Sequence, residues 1–508
     1  PALWRAFVAL RHDLLPKGGP APCLPFAAAF AIQRAKYAQS NWVEREGYYS
    51  VGLRENRHQD WQPGWVGGLM STLPLLRDGT ATERAQALRT FDFLFPKGLG
   101  ASGLCYGTWH QGAYGGDGFD YPHAARWTLT RKSADVLIFA LKQFTILEQL
   151  SPGMRIPTAW SDGVRRIADA FVRLWREHRQ FAQFVDVESG AITVGGSTSA
   201  AIAIGGLAMA WKRFGVAAYR EVAEQAAAAF AERYLATGWT TGGPGEILQC
   251  PDSESAFGLL EGYVVLAEST GDARWLEHAR AAADQCASWI TSYDYPFPAA
   301  STFGKLGMRS TGSVWANVQN KHSAPAICTL SGDSLLKLFR ATGEVAYLDL
   351  LVEIARGVTQ YLSRADRPIA GMPAGFMNER VNLSDWLEPV GEIFSGSCWC
   401  EVSCLLTWSE VPGVYVQSDT GLLRVLDHVE AELCDGGGTL RLRNPTAFAT
   451  EVTVLCETAA DARNRWLGPV PLSGCRRIPL AAGAIAEVQL FSASRAPAGS
   501  KPSARSAG

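Results

Sequence analysis

The sequence repeats a pair of helices three times, and this repeat restricts the fold more than any other feature. In each copy an apolar helix ends at a glycine, and an aromatic residue four positions later begins a second helix. Glycine is common just after a helix because it adopts a left-handed backbone conformation without a steric penalty. We expect the aromatic residue to pack back on the first helix of its pair. The glycine–aromatic pairs are Gly215 with Tyr219, Gly271 with Trp275, and Gly343 with Tyr347.

The two helices of each pair differ in their charge. Ala200–Trp211 carries no charged residue, whereas its partner Tyr219–Tyr234 carries five. Leu259–Ser269 carries only two, and Ala273–Ile290 carries more. A helix that is apolar on all sides is buried, and one with a polar stripe faces water. The first helix of each pair is therefore predicted to be inner and the second outer.

Three further helix pairs bring the predicted number to six. They are Trp65–Leu76 with Ala81–Leu94, Ser133–Leu150 with Ser161–Glu177, and Ser397–Glu410 with a helix around either Leu3–Leu15 or Pro25–Gln39. Six inner helices ringed by outer ones predict a mainly α fold, an (α/α)6 toroid over residues 1–410. An open α-solenoid is the alternative. Connections rich in Gly and aromatic residues, such as Tyr106–Trp127, favour the closed ring.

The sequence changes in character after about Val411. Short segments rich in β-branched residues alternate with Gly, Asn-Pro and Asp-Gly breaks. This pattern predicts a small C-terminal antiparallel β-sandwich over residues 411–492. Residues 493–508 are rich in Ala, Ser, Pro, Gly and Arg, which predicts a disordered tail.

Composition excludes several classes of function. Lys and Arg number 47 and Asp and Glu 49, so the chain lacks the basic excess of a dedicated nucleic-acid binder. The longest uncharged stretch, Ser189–Trp211, has an apolar part too short to span a bilayer, so we expect no membrane partner. Eleven scattered cysteines do not suggest a disulfide framework. No signal peptide is visible, which predicts a cytoplasmic or periplasmic protein.

The hairpin signature resembles that of the six-hairpin glycosidase superfamily of carbohydrate-active enzymes. It rests on Ser-Thr-Gly-Asp at Ser269–Asp272 and Ala-Thr-Gly-Glu at Ala341–Glu344. The resemblance implies a glycoside hydrolase with a carbohydrate substrate, without assigning a particular family. In the unsaturated uronyl hydrolases of this superfamily an Asp lies just before an inner helix that ends in a similar Thr-Gly-Asp. The matching position is Asp252 or Glu254, which implies a substrate that contains uronic acid.

The resemblance also places the active site where the inner helices begin. Glycoside hydrolysis needs one carboxyl that donates a proton and a second that acts as base or nucleophile. Asp252 and Glu254 diverge at the start of one helix, so we expect one of them to be the general acid. Asp60 is the predicted partner, with Glu401 as second choice. In the alternative interpretation Asp252 only caps its helix, and Glu254 interacts with the helix dipole.

Aromatic residues are abundant near these helix starts. The chain has 17 Trp, and an indole can stack on a sugar ring as well as fill a core. The long loop Gly103–Pro122 is expected to form the wall of a subsite, since long ordered loops are often functional. The predicted substrate-binding residues are Trp61, Trp65, His110, Asp120, Tyr121, His123, Trp127, Asn320, Lys321, Trp399 and Glu401.

Two other functions remain open at this point. Toroid polysaccharide lyases use an Asn or a basic group against a uronate carboxylate, and a Tyr or His to remove the C5 proton. Asn320, His322, Tyr121 and His123 could supply that set. A histidine titrates near neutral pH, so His322 is the predicted catalytic residue of that reaction. The third possibility is a toroid that binds sugar without turnover.

The cysteines are densest at Cys398, Cys400 and Cys404. A zinc site there would need a second pair of ligands, which the sequence does not offer, although Glu401 could add an oxygen. We therefore expect buried thiols in the core, with no metal and no cofactor.

Overall fold

The computed structural model describes residues 2–14, 22–118, 122–385, 387–393, 399–464 and 474–490. The described chain is mainly helical. Its α-helices, in chain order, are α1 (Ala2–Leu14), α2 (Phe26–Lys36), α3 (Arg57–Asp60), α4 (Leu69–Asp78), α5 (Ala81–Leu94), α6 (Thr130–Leu150), α7 (Thr158–His178), α8 (Ala203–Phe214), α9 (Ala217–Phe230), α10 (Ser253–Thr270), α11 (Arg274–Ala287), α12 (Thr302–Leu306), α13 (Asp333–Thr342), α14 (Val345–Val358), α15 (Trp399–Glu410) and α16 (Ala459–Asn464).

Six helix pairs form a ring, as the repeat predicts. The inner helices α4, α6, α8, α10 and α13 pack on the outer helices α5, α7, α9, α11 and α14 respectively. The sixth inner helix, α15, packs on α2, so the second of the two candidate partners is the correct one. The inner helices contact one another in the order α15, α4, α6, α8, α10 and α13. Ser331, just before α13, donates a 2.6 Å hydrogen bond to Glu410 in α15, which closes the ring.

Burial separates the inner helices from the outer ones. All twelve residues of α15 are buried, and so are Ser253–Ala267 of α10. The outer helix α7 instead alternates buried and exposed positions along its 21 residues. This is the difference that the charge distribution predicts, since a helix surrounded by protein has few positions from which a charged side chain can reach water.

The predicted glycines end their helices as expected. Gly271 follows α10 with φ 71°, a left-handed conformation, and Gly215 and Gly343 do the same after α8 and α13. The aromatic residues that follow are buried. Tyr219 donates a 2.7 Å hydrogen bond to Asp169 in α7, the outer helix of the preceding pair. The tyrosine therefore joins successive hairpins.

A buried cluster of charges ties four inner helices together. The ammonium of Lys142 in α6 lies 3.0 Å from Glu410 in α15, 3.2 Å from Glu261 in α10 and 3.9 Å from Asp333 in α13. All four side chains are almost completely buried. Buried charges are tolerated only when they are paired, so this cluster fixes the relative positions of the helices.

Strands occur in the connections and after α15. They are β1 (Trp42–Val43), β2 (Tyr48–Tyr49), β3 (Thr108–His110), β4 (Ala113–Gly115), β5 (Trp127–Leu129), β6 (Phe184–Asp186), β7 (Ile192–Val194), β8 (Val314–Trp315), β9 (Ser323–Ala324), β10 (Val414–Gln417), β11 (Leu422–Val425), β12 (Glu430–Cys434), β13 (Thr439–Arg443), β14 (Thr450–Glu457), β15 (Arg476–Leu480) and β16 (Ile485–Gln489).

The C-terminal strands form two small sheets. One has the order β11-β10-β14-β15 and the other β12-β13-β16. The expectation of a purely antiparallel arrangement is wrong at one place, because β10 and β14 run parallel. Three intervening strands separate these two in the sequence, which gives the chain the length that a parallel connection needs. Residues of both sheets, among them Val416, Leu442 and Val454, share one apolar cluster.

In the part of the chain that the structure describes, helices are too short or too polar to cross a membrane. The predicted tail, residues 493–508, lies outside the described residues.

Candidate active site

A cavity of about 280 Å³ opens where the inner helices begin. Its walls come from the chain before α4, the start of α10, the long connection before α13, and the start of α15. Its residues are Val51, His58, Gln59, Gln62, Trp65, Val66, Glu246, Glu254, Ala316, Asn317, Asn320, His322, Cys328, Glu379, Arg380 and Trp399. The cavity therefore brings together five of the predicted residues, namely Trp65, Glu254, Asn320, His322 and Trp399.

Glu254 is the most perturbed carboxyl in this cavity. The residue is 5% exposed, and its Oε2 accepts a 2.7 Å hydrogen bond from the indole N–H of Trp65. Arg131 also approaches Oε2, at 3.4 Å, whereas Oε1 receives no hydrogen bond from the described residues. Burial raises the pKa of Glu254 to about 8, with Asp252 and Glu246 adding to it and Arg131 opposing it. The carboxyl is therefore mostly protonated at neutral pH.

Arg131 stands behind Glu254 and has its own counterion. It is fully buried in the first turn of α6, and its Nε lies 3.2 Å from Asp135, one turn further along the helix. Its Nη2 donates a 3.2 Å hydrogen bond to the carbonyl of Cys328. Arg131 and Asp135 thus form a pair that is neutral overall, and Glu254 lies at the edge of this pair.

Trp65 is held in an unusual backbone conformation. Its φ is 67°, a region that L side chains rarely adopt and that local contacts must stabilise. Asp135 accepts a 2.8 Å hydrogen bond from the backbone N–H of Trp65, and the Thr329 hydroxyl donates to its carbonyl. These contacts direct the indole N–H toward Glu254. The same Asp135 therefore positions both neighbours of the Glu254 carboxyl.

Asp252 lies beside the cavity rather than in it. It is completely buried and caps α10, where it accepts hydrogen bonds from the backbone N–H of Ser255 at 2.6 Å and the Ser255 hydroxyl at 3.0 Å. It also accepts from the backbone N–H of Gly243 at 3.1 Å. Burial raises the pKa of Asp252 to about 6. The capping interpretation is thus the one that the structure supports, and Asp252 joins the preceding loop to the helix that carries Glu254.

Glu246 is a second carboxyl in the cavity, and it is not among the residues predicted from the sequence. It is exposed to the opening, and its Oε1 accepts a 3.2 Å hydrogen bond from the side-chain amide of Asn320. Surrounding protein displaces part of its water, and this burial raises the pKa of the Glu246 carboxyl. The signal that could have found it is its place in a Gly-rich loop just before an inner helix.

His322 lines the same cavity. It is 3% exposed, and its Nδ1 lies 2.9 Å from the carbonyl of Ser323, which requires the proton on Nδ1. Burial lowers the pKa of His322 to about 4, so the imidazole is neutral at neutral pH. Lys321 next to it is exposed and is not among the cavity residues.

The structure places Asp60 in a separate cluster. The Tyr48 hydroxyl donates a 2.5 Å hydrogen bond to one oxygen of Asp60, and His110 Nδ1 lies 3.0 Å from the other. Trp61 is fully buried, with its ring edge-on to Phe93 at a centroid distance of 4.9 Å. Asp60 and His110 therefore do not line the cavity, and Trp61 has no free face for a sugar.

At the start of α15, likewise, one predicted residue lines the cavity and another does not. Trp399 lines the cavity, whereas Glu401 is fully buried and forms a 2.6 Å ion pair with Lys36. Cys398 lies outside the described residues, and Cys400 and Cys404 are buried. Burial raises the pKa of the Cys404 thiol. Among the described residues no group of His, Cys, Asp and Glu is arranged to hold a metal ion.

A second cavity, of about 240 Å³, adjoins the first at Glu246. Trp127 and His123 line it, with their rings edge to face at 5.5 Å. Two residues of the predicted subsite wall, Asp120 and Tyr121, lie outside the described residues.

Several cavity residues other than Glu246 also escaped prediction. His58 and Gln62 lie in the segment around Asp60 and line the cavity, although Asp60 itself does not. Glu379 and Arg380 follow α14 at a distance of some twenty residues, and Arg380 is held by a 3.0 Å ion pair with Glu388. Nothing in their local sequence indicates a place in the cavity.

Searches with the sequence found no matching protein-family model and no matching curated protein. Solved structures do match. A GH76 α-mannanase from Bacteroides thetaiotaomicron has a TM-score of 0.51 and 10% identity over 75% of this chain and 93% of its own. A cellobiose 2-epimerase from Bacillus thermoamylovorans gives 0.48 and 10%, over 80% and 99%. An unsaturated glucuronyl hydrolase from a Bacillus species gives 0.47 and 13%, over 75% and 93%.

At such low identity the first of these likenesses shows the fold alone. The chain shares with this mannanase a toroid of helical hairpins, and no specific family is assigned to it.

Proposed function

We propose that this six-hairpin toroid is a glycoside hydrolase that acts on an oligo- or polysaccharide, with Glu254 as the general acid. The observation that carries the proposal is the state of the Glu254 carboxyl. It faces a cavity, it holds a proton at neutral pH because burial raises its pKa to about 8, and its Oε1 is available to a substrate. A protonated carboxyl is the group that a leaving glycosidic oxygen needs.

We assign the role of the second carboxyl to Glu246 in place of Asp60. Asp60 is engaged by Tyr48 and His110 away from the cavity, whereas Glu246 and Glu254 line the same space. The negative charge of an ionised Glu246 raises the pKa of Glu254 further, which favours a proton on Glu254 while Glu246 is ionised. Glu246, oriented by the Asn320 amide, then acts as base or nucleophile while Glu254 protonates the leaving group.

The remaining cavity residues suit a sugar. Trp65 and Trp399 supply aromatic surface, and Asn317 and Gln62 supply amides that bind hydroxyls. Arg380, which is held by its ion pair with Glu388, is the guanidinium among the described cavity residues, and we propose that it contacts a uronate carboxylate in this first cavity.

The test is incubation with a panel of plant, algal and bacterial glycans, reading new reducing ends and the ultraviolet absorbance of 4,5-unsaturated uronates together. We expect reducing ends without new absorbance. Glu254→Gln should abolish the release, and Asp60→Asn should retain it. A Glu254→Gln enzyme that still hydrolyses the substrate would contradict the proposal.

A lyase is the second candidate, because the neutral imidazole of His322 and the amide of Asn320 lie in the same cavity. In that case absorbance and reducing ends would rise together, and His322→Ala would abolish both while Glu254→Gln would not. Sugar binding without any turnover would instead support a non-catalytic toroid.

We also propose that the two C-terminal sheets pack as a β-sandwich over residues 411–492, next to a catalytic toroid over residues 1–410. Their shared apolar cluster supports this arrangement.

A further inference from the structure

The second cavity has the features of a binding site rather than a packing defect. Trp127 and Phe184 supply its apolar wall, and the exposed Leu248 stands at its rim. Trp127 is only half-buried, so part of its indole faces the opening. The volume of about 240 Å³ is close to the lower end of the range for small-molecule sites, roughly 300 Å³.

Glu246 is fixed at the boundary between the two cavities. The side-chain amide of Gln183 donates hydrogen bonds to the carbonyls of Pro244 at 3.1 Å and Ile247 at 2.9 Å. It also accepts a 3.0 Å hydrogen bond from the backbone N–H of Gln249. Gln183 is fully buried and precedes β6, so the loop on both sides of Glu246 is attached to the wall that carries Phe184.

The charge of this cavity differs from that of the first. Asp117 forms a buried ion pair with Lys132, which cancels its charge. Among the described residues that line the cavity none is Lys or Arg, so the carboxylate of Glu246 is the charge that a ligand meets in this lining. A ligand carboxylate placed here would meet a like charge without a cation to pair with it.

We propose that the second cavity is a sugar subsite that takes an uncharged sugar residue and rejects a uronate. This inference rests on the proposed function and deepens it, because Glu246 at the boundary then stands beside the bond between the sugar rings in the two cavities. The indole of Trp127 packs against the C–H face of the second ring, and carboxylate oxygens of Glu246 accept hydrogen bonds from its hydroxyls.

The test uses the full-length Glu254→Gln protein, which binds without turnover, and compares it with the same protein carrying Trp127→Ala. The probes are mannose and glucose oligosaccharides of two and four residues, and galacturonate oligosaccharides of the same lengths, in titration calorimetry. Trp211→Ala is the matched control, since Trp211 is also half-buried but lies near the opposite, C-terminal end of α8.

We expect Trp127→Ala to weaken the binding of a neutral tetrasaccharide about tenfold and to leave the disaccharide unchanged. The control should change neither, and the galacturonate tetrasaccharide should gain nothing over its disaccharide. An equal loss for both lengths, no loss for either, no binding by any probe, or a galacturonate tetrasaccharide that binds as tightly as the neutral one would each overturn the subsite.

The binding test of the subsite and the hydrolysis test of the proposed function can fail independently of each other. A wild-type protein that hydrolyses no glycan, but whose binding of the tetrasaccharide depends on Trp127, would refute the hydrolase and keep the subsite. Hydrolysis that is lost in Glu254→Gln, with no effect of Trp127→Ala on binding, would do the reverse.

Discussion

Replacing Glu254 by Gln tests the protonation of the carboxyl through the stability of the protein. The glutamine keeps an acceptor for the Trp65 indole but cannot ionise. In the folded protein the pKa of Glu254 is about 8, against 4.5 for an ordinary glutamate. The stabilisation that comes from the proton on Glu254 is therefore fully present below pH 4.5. It is lost as the pH rises toward 8, because the unfolded chain releases this proton first.

The magnitude follows from the size of this shift. Each pH unit between the two pKa values costs the wild type about 1.4 kcal/mol, so from pH 5 to pH 8 the loss is about 4 kcal/mol. A chain of 508 residues unfolds with an entropy of about 1 kcal/mol per kelvin, which converts this loss to about 4 °C in Tm. Buried groups that do not interact with Glu254 are common to both proteins and cancel in the difference.

The assay is thermal unfolding of wild type and Glu254→Gln in steps from pH 5 to pH 8. We expect the Tm of the variant, relative to wild type, to rise by about 4 °C across this range. Glu232→Gln is the matched control for the substitution itself, since Glu232 is exposed and lies outside the cavity. A Tm difference for Glu254→Gln that stays constant or falls with pH would mean that Glu254 is ionised in the folded protein, which would remove the general acid.

Three further outcomes are expected. Trp65→Phe removes the N–H that stabilises the ionised form of Glu254, so kcat/KM should fall and the alkaline limb of its pH profile, near pH 8 in wild type, should move to higher pH. Asp60→Asn should retain most of the wild-type kcat/KM, and a loss as large as that of Glu254→Gln would restore Asp60 as the partner. Gly271→Ala should cost about 1 kcal/mol, or about 1 °C in Tm, with activity unchanged, because an added Cβ meets no neighbour and only the left-handed backbone is penalised.

The ring of helices could be predicted because its signals are local. A glycine such as Gly271 and a change in charge between adjacent helices each lie within about thirty residues of sequence. The partner of the sixth inner helix could not be predicted uniquely, because its contact is distant in sequence. The contact between α15 and α2 joins residues more than 350 positions apart, and the sequence contains two N-terminal helices that could fill this place.

A cavity residue could be predicted from the sequence only where it lies at the start of an inner helix. Glu254 lies in the first turn of α10, and its place in the cavity follows from that of the helix. Asp60 instead ends the short helix α3, several residues before the inner helix α4, and its side chain contacts Tyr48 and His110. Glu246 reaches the cavity through a loop attached to Gln183, some sixty residues away. Sequence distance from a helix start does not determine the direction of a side chain.

The protonation of Glu254 depends on Asp135, which pairs with Arg131, the cation beside Glu254. Arg131 lies 3.4 Å from Glu254 but 3.2 Å from Asp135, so an ionised Glu254 would give this buried group a second negative charge for one positive charge. In Asp135→Asn the guanidinium loses that counterion and keeps Glu254 as its nearest carboxyl, and the Asn oxygen can still accept from the Trp65 backbone. The pKa of Glu254 should then fall, and the alkaline limb of the kcat/KM profile should move to lower pH, opposite to the shift in Trp65→Phe. Equal shifts in the two variants would show that the limb reports another group.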